Sequence, residues 1–498
     1  MKHVKQLAVV LALAVMPATA SAWEPQTTHA GLAEQAALAS RLHKRLVSLG
    51  FTGGLFEPLT IPPADAPALA SALKQLSPTH GAVPDARGRQ SALGWLTAGA
   101  ALADVPASQG ANHFFDPVTG EGWSAPSRGV RGLFQAALPD HGVPAPDWVV
   151  DKANPFNLEQ FLSQYAKAVS AATPGERSRA MAAALIAAGA MLHTLGDLGA
   201  PSRVRSDEAA HLELVGAGGD DRGSRFERIA ALTYGRLGVP PPSRTITRSH
   251  LREFFTAGTA GRPGKPGSPA AKDAEGLADL IARSYFSPNT LPEPTVIRGD
   301  ARPQLARPQP GLPARLNLMA ANRDDGTTLR SPAGTCLARY RVEHDLLSFS
   351  IDDDCMLEQL AVILPDVAAY EAGLLDFLLR GELTITADGQ ITITGANLGA
   401  GTLDVFAEDE RGVRSKLSSA ATSGGEQLAQ LPVPSGARIV AVFRGNDAAG
   451  EPIVAVGALA LGAGSPSAAP APVAPLAPQP ATSPLPSVPA VPTKPQAR

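Results

Sequence analysis

Ten histidines are spread along the 498-residue chain, and four of them stand where metal binding could use them. His193 and Asp197 are four positions apart in a stretch with helical apolar spacing, so their side chains share one face. An imidazole nitrogen beside a carboxylate oxygen suits a borderline cation such as zinc. On its own, such a pair is more often a structural hydrogen bond. His113 opens the run His113-Phe114-Phe115-Asp116-Pro117, a ligand type followed by two apolar anchors. Asp104 follows an apolar helical stretch, where a carboxylate opposes the helix dipole and calls for a cation. His29 lies six residues after Trp23. If a leader were removed just before Trp23, the free α-amine and the carbonyl of that residue would form a five-membered chelate around a metal. His43, His80, His141, His250 and His344 have no acid at ligand spacing and read as surface or hydrogen-bonded histidines. His3 lies within the leader.

The composition narrows the chemistry. Lys plus Arg is 43 and Asp plus Glu is 46, a net charge of -3, so there is no basic excess of the kind that phosphate-driven nucleic-acid binding uses. A hydrophobic content of 44% excludes global disorder. The length implies two or three domains. The basic start Met1-Lys2-His3-Val4-Lys5, the apolar run 7–15 and Ala20-Ser21-Ala22 predict a signal peptide over 1–22, and with it a secreted or periplasmic location after cleavage before Trp23. A nine-residue apolar run is too short to span a bilayer as a helix, and no other stretch reads as apolar enough.

The elements that must position these residues are mostly helical up to about residue 287. Apolar spacing predicts helices over 32–49, 67–76, 92–103, 158–171 and 176–195. Segments 260–272 and 296–314 are rich in Pro, Gly and Arg and read as loops. Cys336 and Cys355 flank two short β-type runs, 337–342 and 346–351, so a disulfide closing this hairpin is expected. Residues 356–379 predict a long helix interrupted near Pro365. After Gly381 the period changes to two, with β-type runs at 383–387, 391–394, 403–407 and 439–443 separated by turn residues. These predict a small β-sandwich over 381–463, with Phe406 and Phe443 as its candidate exposed aromatics. The 34 residues from Ser465 hold 11 prolines, so 464–498 is expected to be an extended, disordered tail.

Taken together, Trp23 with His29, Asp104, His113-Phe-Phe-Asp-Pro and His193-x-x-x-Asp197-Leu-x-x-Pro201 resembles the bacterial zinc-dependent phospholipase C family. That family is similar in fold and metal cluster to secreted single-strand zinc nucleases. The resemblance covers Trp23 to about Glu227 and extends to the segment 368–377. It implies a mainly α protein, with an all-helical phospholipase C-like domain over 23–380 ahead of the β-sandwich. It also implies that Asp104, His113, His193 and Asp197 hold one zinc ion, while Trp23, His29 and the shared Asp197 hold a second. The third position departs from the pattern. Arg203 stands where the family has a histidine, and Gly223 stands where another is expected. Glu227 is retained, and His211 is either a substitute ligand or a solvent-facing helix histidine.

Arg203 is permanently cationic and binds phosphate as a fork. It either replaces part of the third ion's charge or marks an altered enzyme. The resemblance thus implies an exported zinc-dependent phosphodiesterase, most like a phospholipase C that hydrolyses phospholipid head groups with metal-activated water. Asp104 and Arg203 are its catalytic candidates, and its partner is a phospholipid, at a membrane surface, rather than nucleic acid. Two alternatives stand beside it. A zinc nuclease or nucleotidase would need an aromatic slot to stack a base, for which Phe114, Phe115 and Trp123 are the candidates. A non-catalytic binding protein would keep a structural dizinc core.

Overall fold

The computed structural model describes residues 25–62, 84–85, 87–125, 139–211, 214–215, 221–222, 224–257, 275–296, 310, 327–425, 427–432 and 438–461. The expected helix 67–76, most of the two loop segments, the expected leader, Trp23 and the Pro-rich tail lie outside the described residues. The described residues belong to one compact unit.

Residues 32–49, expected as one helix, form two: α1 (Ala30–Ala39) and α2 (Leu42–Ser48). Ser40 breaks the run by turning extended, and its hydroxyl accepts from the Leu42 N–H at 3.2 Å. Further on come α3 (Ala92–Leu102), α4 (Leu158–Ser170), α5 (Pro174–Gly196), α6 (Arg225–Tyr234), α7 (Leu277–Ser284) and α8 (Asp353–Leu378). The starts are written in the sequence. Ser91 and Asn157 accept from Gly94 and Gln160 at 3.0 and 2.9 Å, and Thr173 with Glu176 forms a capping box ahead of α5.

Helix α8 is not interrupted at Pro365 as expected. A proline inside a helix costs about 3 kcal/mol. Around it Leu360, Ile363, Leu364, Val367 and Ala368 are fully buried, and each large apolar side chain contributes roughly 1.5–3 kcal/mol, so packing outweighs the break.

A second departure concerns α5. With the turn that follows, the span Pro174–Gly199 is long and apolar enough to cross a membrane by length and composition alone, although no such stretch was expected. Of its most apolar window, 94% is buried inside the fold, which makes it the central core helix.

The region 23–380 is not all-helical. Among the described residues, β1 (Pro58–Thr60) pairs with β2 (Arg89–Ser91), and an antiparallel sheet runs in the order β3-β6-β5-β4. Its strands are β3 (Thr295–Val296), β4 (Thr327–Arg330), β5 (Cys336–Glu343) and β6 (Leu346–Ser350). The chain is therefore a mixture of helix and antiparallel sheet, not a mainly α protein with one β appendage. The two cysteines that flank the β5–β6 hairpin are disulfide-bonded, as expected. The bond ties the first residue of β5 to the first turn of α8.

From residue 384 the period-two pattern gives β7 (Thr384–Asp388), β8 (Gln390–Thr394), β9 (Leu398–Glu408), β10 (Arg414–Thr422), β11 (Gln427–Pro432), β12 (Arg438–Asp447) and β13 (Pro452–Ala460). They form a three-stranded sheet ordered β11-β8-β7 and a four-stranded sheet ordered β10-β9-β12-β13. Alternation assigns the two faces of β12. Ile439, Ala441 and Phe443 point into the core between the sheets, whereas Val440 and Val442 join the helical core. Both aromatics expected to be exposed, Phe406 and Phe443, are buried for this reason. Arg414 donates to the Val169 carbonyl at the end of α4, and Arg45 donates to the Gly381 carbonyl.

Candidate metal centre

Helices α3 and α5 cross at contact distance, and two glycines make this possible. A Cβ added to Gly99 would lie 2.1 Å from the Ile186 carbonyl oxygen, and one on Gly189 would lie 2.0 Å from that of Leu96. The crossing brings the end of α3, followed by Asp104, against the last turn of α5, which carries His193. The His193 Nδ1–H donates to the Ala100 carbonyl at 2.6 Å, so Nε2 is the nitrogen turned toward the carboxylates. Gly189→Ala should therefore destabilise the fold by roughly 1–3 kcal/mol through overpacking. Helix propensity alone would stabilise by up to about 1 kcal/mol. Denaturant unfolding beside Gly175→Ala, where the nearest atom to the added Cβ is 3.6 Å away, checks this. Equal stability of the two variants would refute the close crossing.

Five of the expected ligand residues come together. His193 Nε2 is 3.1 Å from Asp197 Oδ2 and 3.4 Å from Asp104 Oδ2. His113, at the end of a helical turn Ala107–His113, places Nδ1 2.9 Å from Asp197 Oδ2 and 3.2 Å from Asp104 Oδ1. His29, at the end of the turn Pro25–His29, places Nε2 3.1 Å from Asp197 Oδ1. Asp197 thus faces two sides. Two groups could hold a metal ion, His29 with His193 and Asp197, and Asp104 with His113 and His193. The run after His113 is pinned by backbone bonds from Phe115 N–H to the Arg203 carbonyl and from Ala145 N–H to the Phe114 carbonyl, each 3.0 Å.

All five side chains are buried, and the electrostatics are severe. Burial, with His193 nearby, pushes His29 down to about 4. Burial also works to lower His193, yet Asp197 and Asp104 hold it up at about 10. Burial opposes ionisation of Asp197 and Asp104, but Arg203 and the histidines keep Asp197, and the histidines keep Asp104, well below the usual carboxylate range. The donor set fits a zinc-type cation. Both oxygens of Asp104 and Nε2 of His193 make no hydrogen bond among the described residues, and imidazole with carboxylate is the mixture such an ion takes.

The expected third position is filled by the protein itself. Arg203 is buried; its Nε donates to Glu227 Oε1 at 2.8 Å, and its Nη1 is 3.4 Å from Asp197 Oδ2. Its guanidinium lies over the Phe114 ring, 4.7 Å from the centroid. Its Nη1 and Nη2 make no hydrogen bond among the described residues. His211 is not solvent-facing. It is buried against Phe114 and Trp123, with Nδ1 3.5 Å from Glu227 Oε2. Phe114, Phe115 and Trp123 are themselves buried, so none presents a stacking face to solvent. Trp23 and Gly223 lie outside the described residues.

One residue escaped the sequence reading. Glu371 on α8 is buried beside His193 and Asp197, and burial raises it well above the ordinary glutamate value. The available signal was a lone acid within the apolar run 367–375.

No family model matches the chain, and no curated protein matches it in sequence. Among solved structures, the chain is similar to the alpha-toxin of Clostridium perfringens, isolated from avian strain SWCP. The identity is 11%, the match covers 89% of this chain and 99% of that chain, and the TM-score is 0.28. A score that low does not establish a shared fold.

Proposed function

We propose that this chain is an exported zinc-dependent phosphodiesterase of the phospholipase C type, acting on phospholipid head groups. The observation that carries the reading is the buried cluster of three imidazoles and two carboxylates around Asp197, with unpaired ligand atoms and a fixed cation at its edge. Zinc bound there supplies a water nucleophile at neutral pH and neutralises phosphoryl charge. Within the chain, Asp104, His113, His193 and Asp197 would hold one ion, and Trp23, His29 and the shared Asp197 the other. His193 is held in orientation by the Ala100 carbonyl. Arg203, with Nε committed to Glu227, keeps its two terminal nitrogens for an anionic phosphoryl oxygen.

A binding protein without catalysis is the second reading, favoured by the salt bridge between Arg203 and Glu227 at the third position. The nuclease reading is weakened by the burial of Phe114, Phe115 and Trp123. Incubating the purified, trimmed protein with phosphatidylcholine and with single-stranded DNA, each with and without a chelator, tests all three. Chelator-sensitive release of phosphocholine is expected. Cleavage of DNA alone would favour the nuclease, and zinc content without any turnover would favour the binding protein.

The ligand role of Trp23 depends on a free amine. A residue left before Trp23 removes the amine chelate and changes no other side chain, so zinc occupancy after dialysis should fall below that of the trimmed chain. Equal occupancy would remove Trp23 from the ligand set.

A further inference from the structure

We infer that Glu371 is a positioning residue for the metal centre: once a metal binds His29 Nε2, its carboxylate would accept the Nδ1–H of His29 and so hold Nε2 toward the metal. The inference rests on the metal-centre reading above. Its ground is a pair of buried, unsatisfied groups in front of one glycine. Glu371 is 1% exposed, and neither of its oxygens has a hydrogen-bond partner among the described residues. His29 is also 1% exposed, with Nε2 directed at Asp197 Oδ1 and Nδ1 without a partner among the described residues. A Cβ built on Gly196 would lie 2.5 Å from Glu371 Oε1 and 3.6 Å from His29 Nδ1, so both atoms face the space that this glycine leaves open. A buried carboxylate and a buried ring nitrogen, each unpaired and facing one gap, become a favourable pair once a metal on Nε2 moves the ring proton to Nδ1.

The chemistry is that of an outer partner to a ligating histidine. When Nε2 binds a metal, Nδ1 carries the proton. A carboxylate accepting that proton fixes the tautomer and the ring orientation and raises the basicity of the ligand. His193 has the equivalent support from the Ala100 carbonyl. Glu371 would give His29 a stronger one, from a helix that joins the cluster only in the folded chain. Gly196, just before Asp197, then has a specific task, because any side chain there would displace the carboxylate.

Zinc affinity of the trimmed full chain, measured with zinc alone against a competing chelating dye, tests this together with thermal unfolding of the metal-free protein. Glu371→Leu removes the acceptor at similar size. It should weaken binding at one zinc position about 10–100-fold, the range found for outer partners of metal ligands. The same change should raise the unfolding temperature of the metal-free protein, because an unpaired buried carboxylate is gone. A merely structural glutamate would move both quantities down together. Glu371→Gln keeps an oxygen that can accept from Nδ1–H and should recover most of the affinity. Three results would overturn the inference: unchanged zinc affinity in Glu371→Leu, a loss in Glu371→Gln as large as in Glu371→Leu, or a Glu371→Leu chain that is destabilised or fails to fold. An unsubstituted chain that binds no zinc would remove the metal centre itself, which separates that failure from a failure of Glu371 alone.

Discussion

Asp197→Asn should remove bound zinc from the trimmed protein almost completely, a larger effect than loss of any other single ligand. The reason is geometric. Asp197 Oδ1 faces His29 and Oδ2 faces His113 and His193, so one carboxylate belongs to both candidate positions. Asparagine keeps the volume but removes the charge, and it replaces one acceptor oxygen with an NH2 group, a donor that offers a metal no lone pair. Affinity at each position should fall by more than about 100-fold, beyond the range for an outer-shell partner. Elemental analysis after long dialysis checks this against Asp104→Asn, whose carboxylate lies near His113 and His193 and should leave part of the metal in place when lost. Unchanged zinc in Asp197→Asn would end the bridging assignment. The loss of one of Arg203's two carboxylate neighbours must be read alongside, since Asp197 also faces Nη1 of that residue at 3.4 Å.

The second large effect concerns Arg203. If its terminal nitrogens stabilise phosphoryl charge, Arg203→Ala should slow phosphodiester cleavage by roughly 2–4 kcal/mol of transition-state stabilisation, comparable to other preorganised charge-binding groups. Stability should fall as well, because Glu227 is left buried without its cation, a loss of about 3–5 kcal/mol when one partner of a buried pair is removed. Turnover must therefore be compared at a temperature where both proteins are folded. Arg203→His separates the roles. It places an imidazole as a third ligand beside Glu227 and His211 and should raise the zinc count toward three, while removing the permanent charge. Full activity in a folded Arg203→Ala would show that the guanidinium only fills the vacated position.

Much of the cluster was legible from residue types and local spacing. His193 and Asp197 share a face because a helix repeats every 3.6 residues, and the apolar spacing over 176–195 announced that helix. Alternation over 383–443 announced strands for the same kind of reason. The places where the reading failed are those where packing overrode local signals. Pro365 stayed inside α8 because Leu360, Ile363, Leu364 and Val367 around it are buried, and Pro174–Gly199, not expected to be apolar enough to span a membrane, is the buried core helix. The sheet β3-β6-β5-β4 was half seen, since β3 and β4 are short and reach β6 and β5 only across the sheet.

By itself, then, the sequence determined which atoms were available: imidazoles, carboxylates and a fixed cation at positions a periodic helix or turn could present. The tertiary structure decided which of them meet. That Asp197 faces three histidines, that Arg203 is clamped to Glu227, that His211 is buried and that Glu371 arrives from α8 all depend on contacts between segments distant along the chain. Local periodicity carries no information about such contacts. They are set by the close crossing that Gly99 and Gly189 permit and by the burial of both faces of the sheet carrying Val440 and Val442, which are properties of packing in three dimensions.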